Sequence, residues 1–219
     1  MFANSSRVVS NQPAPHPRLR EIVRRHLHMP FRREPSAAGR AAFAAVAENL
    51  RAPFILDAGC GTGDSTLALA RRFPQQIVVG VDKSAVRLAT GQRALARADA
   101  PRNAQLLHCE LVDFWQLAAA AGLRCSMQYL LYPNPWPKAE HVMRRWHAHP
   151  ALPCMLALGG TIELRTNWAL YAEEFAFALQ VAGITATLEA LVPDTPLTPF
   201  ERKYRDSAHA LWRVVAAVP

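Results

Sequence analysis

The chain has 219 residues, 51% of them hydrophobic and 19% charged, a composition that fits one globular domain with a sizeable core and excludes a disordered polar tract. No apolar run approaches the roughly 20 residues of a membrane span, and the opening MFANSSRVVSNQ has no apolar centre like that of a secretory signal. The expectation is a cytoplasmic protein with no membrane partner.

The net charge is +8 with a pI of about 9.9. Residues 1–40 hold eight arginines (Arg7, Arg18, Arg20, Arg24, Arg25, Arg32, Arg33 and Arg40) against Glu21 and Glu34, a net +6 of that total. Arginine suits bidentate contact with phosphate, so the segment reads as a basic arm over residues 1–35 that holds a nucleic-acid backbone. A solvated arm that keeps the protein soluble has the same composition. Cys60, Cys109, Cys125 and Cys154 lie far apart with no Cys-x-x-Cys pair, and each adjoins an apolar segment. They read as reduced core residues, and no metal is expected.

In chain order, Leu19, Ile22, Val23 and Leu27 sit at helical spacing, and Ser36 caps a helix running to about Leu50. From Phe54 strand and helix alternate. Strands are expected at 54–57, 77–82, 104–109, 126–131, 160–165, 184–191 and 209–216. Helices are expected at 64–72, 84–98, 113–121, 138–157 and 168–182. This alternation predicts an α/β domain over residues 36–219 with a mostly parallel sheet. Residues 192–207 read as a loop without a helix, so the last two strands are expected to be antiparallel neighbours.

The first strand ends in Asp57, and Gly59, Gly61 and Gly63 follow at alternate positions before the helix. Glycines there let the backbone turn sharply and approach a ligand. The second strand ends in Asp82, followed by Lys83, where a carboxylate accepts from ribose hydroxyls. The Gly-x-Gly-x-Gly spacing behind Asp57 resembles the S-adenosylmethionine (SAM) motif of class I methyltransferases. An ordinary tight strand-to-helix turn is the competing reading. Glu110 closes the third strand and is placed to accept from an adenine amino group, with Asp113 as its near competitor or as a simple helix cap.

Ligands of open α/β sheets sit beyond the carboxyl ends of the strands. After the fourth strand comes Tyr132-Pro133-Asn134-Pro135-Trp136-Pro137-Lys138. The prolines stiffen the loop, Asn134 offers an acceptor and donors to a heterocycle edge, and Trp136 can stack on a base. On a helix Lys138, His141 and Arg145 would share one face suited to phosphate, with Arg144 beside them. Thr166, Asn167, Trp168 and Tyr171 follow the fifth strand. Thr198, Pro199, Phe200 and Glu201 lie between the last two, and substrate binding or plain loop capping explains either group.

Four segments in order carry a family likeness covering roughly residues 54–215. They are the glycine turn, Pro133-Asn134-Pro135-Trp136-Pro137-Lys138 with His141 and Arg144-Arg145, Thr166-Asn167-Trp168 with Tyr171-Ala172-Glu173, and Thr198-Pro199-Phe200-Glu201. The chain resembles the tRNA guanine-N7 methyltransferases, which methylate guanine 46 of the tRNA variable loop. The family has aspartate where Asn134 and Asn167 stand, and tends to a basic residue where Glu140 stands. The resemblance implies a Rossmann-like, seven-stranded class I methyltransferase fold with an antiparallel last strand. It implies SAM as cofactor, held by Asp57, Gly59, Gly61, Gly63, Asp82, Lys83 and Glu110. It places Asn134 and Lys138 at the reaction centre. Trp136, Arg144, Arg145, Thr166, Asn167, Tyr171, Thr198 and Glu201 are left to the substrate. The expected partner is tRNA or a small nucleobase-like molecule, and the expected assembly a monomer or homodimer. A paralogue that binds SAM or RNA without transferring methyl is a further alternative.

Overall fold

The computed structural model describes residues 5–219. The two N-terminal helices, α1 (Leu19–His28) and α2 (Ala37–Ala47), precede an alternating α/β unit. That unit runs β1 (Phe54–Ala58), α3 (Asp64–Arg72), β2 (Val78–Asp82), α4 (Ala85–Leu95), β3 (Ala104–His108), α5 (Leu111–Ala120) and β4 (Cys125–Leu131). It continues with α6 (Leu152–Ala157), β5 (Gly160–Thr166), α7 (Ala169–Val181), β6 (Ala186–Leu191), α8 (Pro199–Asp206) and β7 (Leu211–Val218).

The seven strands form one sheet in the order β3-β2-β1-β4-β5-β7-β6. The pairs among β3, β2, β1, β4 and β5 are parallel, and β7 is antiparallel to both neighbours. This is the sheet expected from the alternation. β1 and β2 are buried along their whole length, because helices cover both faces of a parallel sheet. Strand order reverses beside β1, whose neighbours are β2 on one side and β4 on the other. The crevice past the ends of β1 and β4 is therefore the topological switch point.

Three sequence expectations are corrected. Residues 138–157 do not make one helix: two 3₁₀ turns, Ala139–Arg144 and Trp146–Ala148, precede the short α6. Pro150 has no amide hydrogen and disfavours helical backbone at His149, so the segment breaks there. Residues 192–207 contain α8, whose start was written in the sequence. Thr198 accepts from the Glu201 amide at 2.9 Å and Pro199 takes the first helical position. Third, residues 19–28 are not part of a separate arm. Leu19, Ile22 and Val23 are buried in the main core, at roughly 1.5–3 kcal/mol each. The chain ahead of them is docked as well: Ser10 Oγ donates to Pro137 O at 2.5 Å and Asn11 Oδ1 accepts from the Ala139 amide at 3.2 Å.

Candidate functional site

Glycine positions the centre of the site. Gly59, Gly61 and Gly63 have φ of 80°, 58° and 80°, a left-handed backbone that other residues rarely adopt. The end of β2 fixes the turn: Val81 O accepts from the amides of Gly59 and Cys60 at 2.8 and 3.1 Å. Asp82 accepts from the Gly61 amide at 2.9 Å and the Ser84 amide at 2.8 Å. A Cβ added at Gly59 or Gly61 would meet no protein atom within 4 Å, so the space beside these two residues is open.

That space belongs to a cleft of about 550 Å³ at the switch point. The glycine turn forms one side. Asp82, Lys83 and Glu110, at the ends of β2 and β3, continue it in one direction. Tyr132, Pro133 and Asn134, after β4, continue it in the other, with Thr198 and Phe200 of the α8 start. The size suits a ligand of nucleoside dimensions. A donor-rich turn with acidic groups at two neighbouring strand ends fits the sulfonium, ribose and adenine of SAM.

Of the residues singled out from sequence, Gly59, Gly61, Asp82, Lys83, Glu110, Asn134 and Thr198 meet at this cleft. Lys83 Nζ and Glu110 Oε1 lie 3.7 Å apart, both exposed. The amide oxygen of Asn134 accepts from the Trp136 amide at 3.3 Å, so the loop folds back on this side chain. Tyr132 and Trp136 both have positive φ, 53° and 44°. Such strain in non-glycine residues clusters where a loop is held in a functional shape.

The remaining residues lie below or beside the cleft. Gly63 is buried against Leu106 at the start of α3. Asp57 is buried, and its Oδ2 accepts from Ser65 Oγ at 2.6 Å and Thr66 Oγ1 at 2.7 Å. It therefore ties β1 to the first turn of α3. Burial raises its pKa to about 6, against the lowering effect of those two hydroxyls. Lys138 and Arg144 are exposed, and neither lines the cleft. The Arg144 guanidinium lies 4.7 Å from the centre of the Trp136 ring, and the His141 ring meets it edge-on at 5.8 Å. Trp136 thus belongs to the surface around the cleft.

Burial corrects four expectations of substrate contact. Arg145 is fully buried and pairs with Glu174 at 2.5 Å, while its guanidinium also donates to Trp136 O at 3.0 and 3.2 Å and to Lys138 O at 3.3 Å. It props the loop from beneath and offers nothing to a phosphate. Tyr171 is buried, its hydroxyl accepting from the Trp146 amide at 3.1 Å. Glu201 is buried and accepts from Arg165 and Tyr132 OH, each at 2.9 Å, and from the Leu197 amide at 2.6 Å. Thr166 is buried, with Oγ1 accepting from the Trp168 amide at 3.2 Å ahead of α7. Asn167 pairs with His209 Nδ1 at 3.2 Å.

The cleft also contains residues that the sequence did not point out as site residues: Cys60, Thr62, Asp64, Arg87 and Trp146. Thr62 and Asp64 flank the glycines and could have been found by reading the whole turn. Trp146 carries no local signal, because the 3₁₀ turns bring it there.

Residues 51–214 match a family described as putative methyltransferase. A tRNA (guanine-N(7)-)-methyltransferase from Nitrosococcus oceani is 31% identical over 173 residues, covering 75% of this chain and 71% of the relative. One from Mycobacterium avium is 32% identical over 173 residues and 74% of this chain, which spans 64% of that relative's length. Among solved structures, the 16S rRNA methyltransferase KamB superposes with a TM-score of 0.59 at 19% identity, covering 85% of this chain and 96% of that one. A 16S rRNA (adenine(1408)-N(1))-methyltransferase from Catenulisporales acidiphilia, in a structure with cosubstrate SAM, gives 0.58 at 17% identity, covering 82% and 91%. These two likenesses concern the fold.

Proposed function

Because the chain belongs to the tRNA (guanine-N(7)-)-methyltransferase family, we propose that it transfers a methyl group from SAM to N7 of a guanine in tRNA, at position 46 of the variable loop. The observation that carries this reading is the single cleft shared by the glycine turn, Asp82, Glu110 and Asn134. When bound, SAM supplies an electrophilic methyl group on its sulfonium. Asp82 accepts from ribose hydroxyls, Glu110 from the adenine amino group, and the open backbone of Gly59 and Gly61 admits the ligand closely. Asn134 orients the base from the β4 side.

Guanine N7 carries a lone pair and no proton, so transfer needs no general base from the protein. Positioning in line with the methyl group suffices. An asparagine in place of the family's aspartate is therefore compatible with chemistry. It changes what the base meets. With its oxygen accepting from the Trp136 amide, Asn134 has its amino group left to donate, where a carboxylate would offer a second acceptor. Guanine can use that donor at O6, and adenine can use it at a ring nitrogen, so base preference is relaxed or altered.

The tRNA backbone is held by an arginine-rich face. Arg24 and Arg25 are exposed on α1, and Arg25 reaches Met143, at 3.6 Å from its sulfur, beside exposed Arg144. Methylation of a small purine-like molecule would not use this face. Incubating the protein with SAM and unmodified tRNA, then digesting the RNA for mass spectrometry, should show 7-methylguanosine. Arg24→Glu with Arg144→Glu should abolish it while leaving SAM binding intact. Tight SAM binding with no methylated base in any tRNA pool would refute the reading.

A further inference from the structure

We infer that Phe200 is the stacking platform for the target purine, an inference that rests on the proposed nucleobase methylation. Among the described residues, Phe200 is the one exposed aromatic of the large apolar side chains, at 52%. A single exposed apolar side chain is ordinary on a protein surface. Phe200, however, is on the wall of the cleft with Asn134 and Thr198.

Its position is fixed from behind. It occupies the first turn of α8, which Thr198 caps and which the neighbouring Glu201 anchors through Arg165, Tyr132 and the Leu197 amide. One turn on, Tyr204 lies parallel to the Phe200 ring within 25°, with centroids 6.2 Å apart. Tyr204 stacks in turn on His209 at 5.2 Å and 22°, and leans on Tyr132 at 5.4 Å. Phe200 is thus the outermost member of a backed row of rings, held in place at little entropic cost to a ligand.

Sheet order decides which ligand it serves. Asp82 and Glu110 stand at the ends of β2 and β3, on one side of the glycine turn. Tyr132 and Asn134 follow β4, on the other side, and Phe200 is joined to that side through Tyr204 and Glu201. The acidic side suits the cofactor's nucleoside. The β4 side offers a ring face from Phe200 and a polar group from Asn134. Face and edge together describe a flat heterocycle with a hydrogen-bonding rim, and the larger ring system of a purine stacks better than a pyrimidine.

The test uses the full chain with Phe200→Ala, Phe200→Leu and Phe200→Tyr. Leucine keeps the apolar volume without the π face, and tyrosine restores the face. Base–aromatic stacking of the usual strength predicts that kcat/KM for tRNA falls by about 5- to 150-fold in the alanine variant. Leucine should fall similarly and tyrosine should stay within about 3-fold of wild type. S-adenosylhomocysteine affinity should change by less than about 3-fold throughout. Full activity of the leucine variant, or a matching loss of S-adenosylhomocysteine affinity, overturns the inference. A second readout is fluorescence quenching of 2-aminopurine riboside titrated into the protein with S-adenosylhomocysteine. If wild type methylates no tRNA, the proposed function fails and this readout decides alone. Quenching lost in the alanine and leucine variants but kept in tyrosine sustains the platform, and equal quenching in all four proteins overturns it.

Discussion

Glu174, at the centre of α7, is the group on which the loop at residues 132–138 depends, through Arg145. Its side chain is fully buried and accepts four hydrogen bonds. They come from Arg145 at 2.5 Å, His147 Nε2 at 3.0 Å, Gln12 Nε2 at 2.6 Å and the His16 amide at 2.8 Å. Burial opposes the charge, but His147, the His16 amide and Arg145 outweigh it and hold the carboxyl at about 2. Burial also keeps His147 below the ordinary imidazole range, so the ring is neutral and donates. Glu174→Gln keeps the shape and removes the charge, leaving Arg145 buried without its partner. Breaking such a pair costs about 3–5 kcal/mol. For a chain of this size each kcal/mol shifts Tm by roughly 2–4 °C, so the midpoint should fall by about 6–20 °C. Thermal unfolding followed by circular dichroism at pH 7 measures it. The carboxylate's contribution is present above its unfolded pKa of 4.5 and lost as pH falls toward 2, so the gap between wild type and variant should close over that range. Arg145 also holds the carbonyls of Trp136 and Lys138. The variant should therefore lose methyl transfer even well below its Tm. A shift under about 3 °C, or a gap unchanged from pH 5 to pH 3, would refute this account of the buried pair.

Two further outcomes follow from the site. Asn134→Asp keeps the turn at Trp136 and replaces a donor with an acceptor, so guanine-N7 transfer should rise relative to transfer on other bases; competition between guanine- and adenine-containing RNA measures it, and an unchanged ratio means residue 134 does not touch the base. Asp57 has the opposite pH sign to Glu174: its folded pKa of about 6 exceeds the unfolded 3.8, so its contribution is present below 3.8 and lost as pH rises through 6. The shift corresponds to at most about 3 kcal/mol. Denaturant titrations from pH 4 to 7 should show wild type losing stability relative to Asp57→Asn, and parallel curves would contradict it.

Local pattern and chemistry determined the sheet. Strands read as short apolar runs, helices as their alternating partners, and the glycine turn between β1 and α3 as a ligand loop, because each of these is encoded within a few consecutive residues. The sequence also placed Gly59, Gly61, Asp82, Glu110 and Asn134 correctly at strand ends, since the strand-end rule depends only on topology. Tertiary structure alone decided which polar side chains face the cleft. Arg145, Glu201 and Tyr171 look like site residues along the chain, yet each is turned inward to a partner 25 or more residues away. Phe200 and Trp146 reach the cleft only because α8 and the 3₁₀ turns fold over it. Local sequence carries the period of an element and its caps. It does not carry the direction of a side chain whose partners come from distant segments, and here those long-range pairs decide what holds the loop and what is left free to meet the substrate.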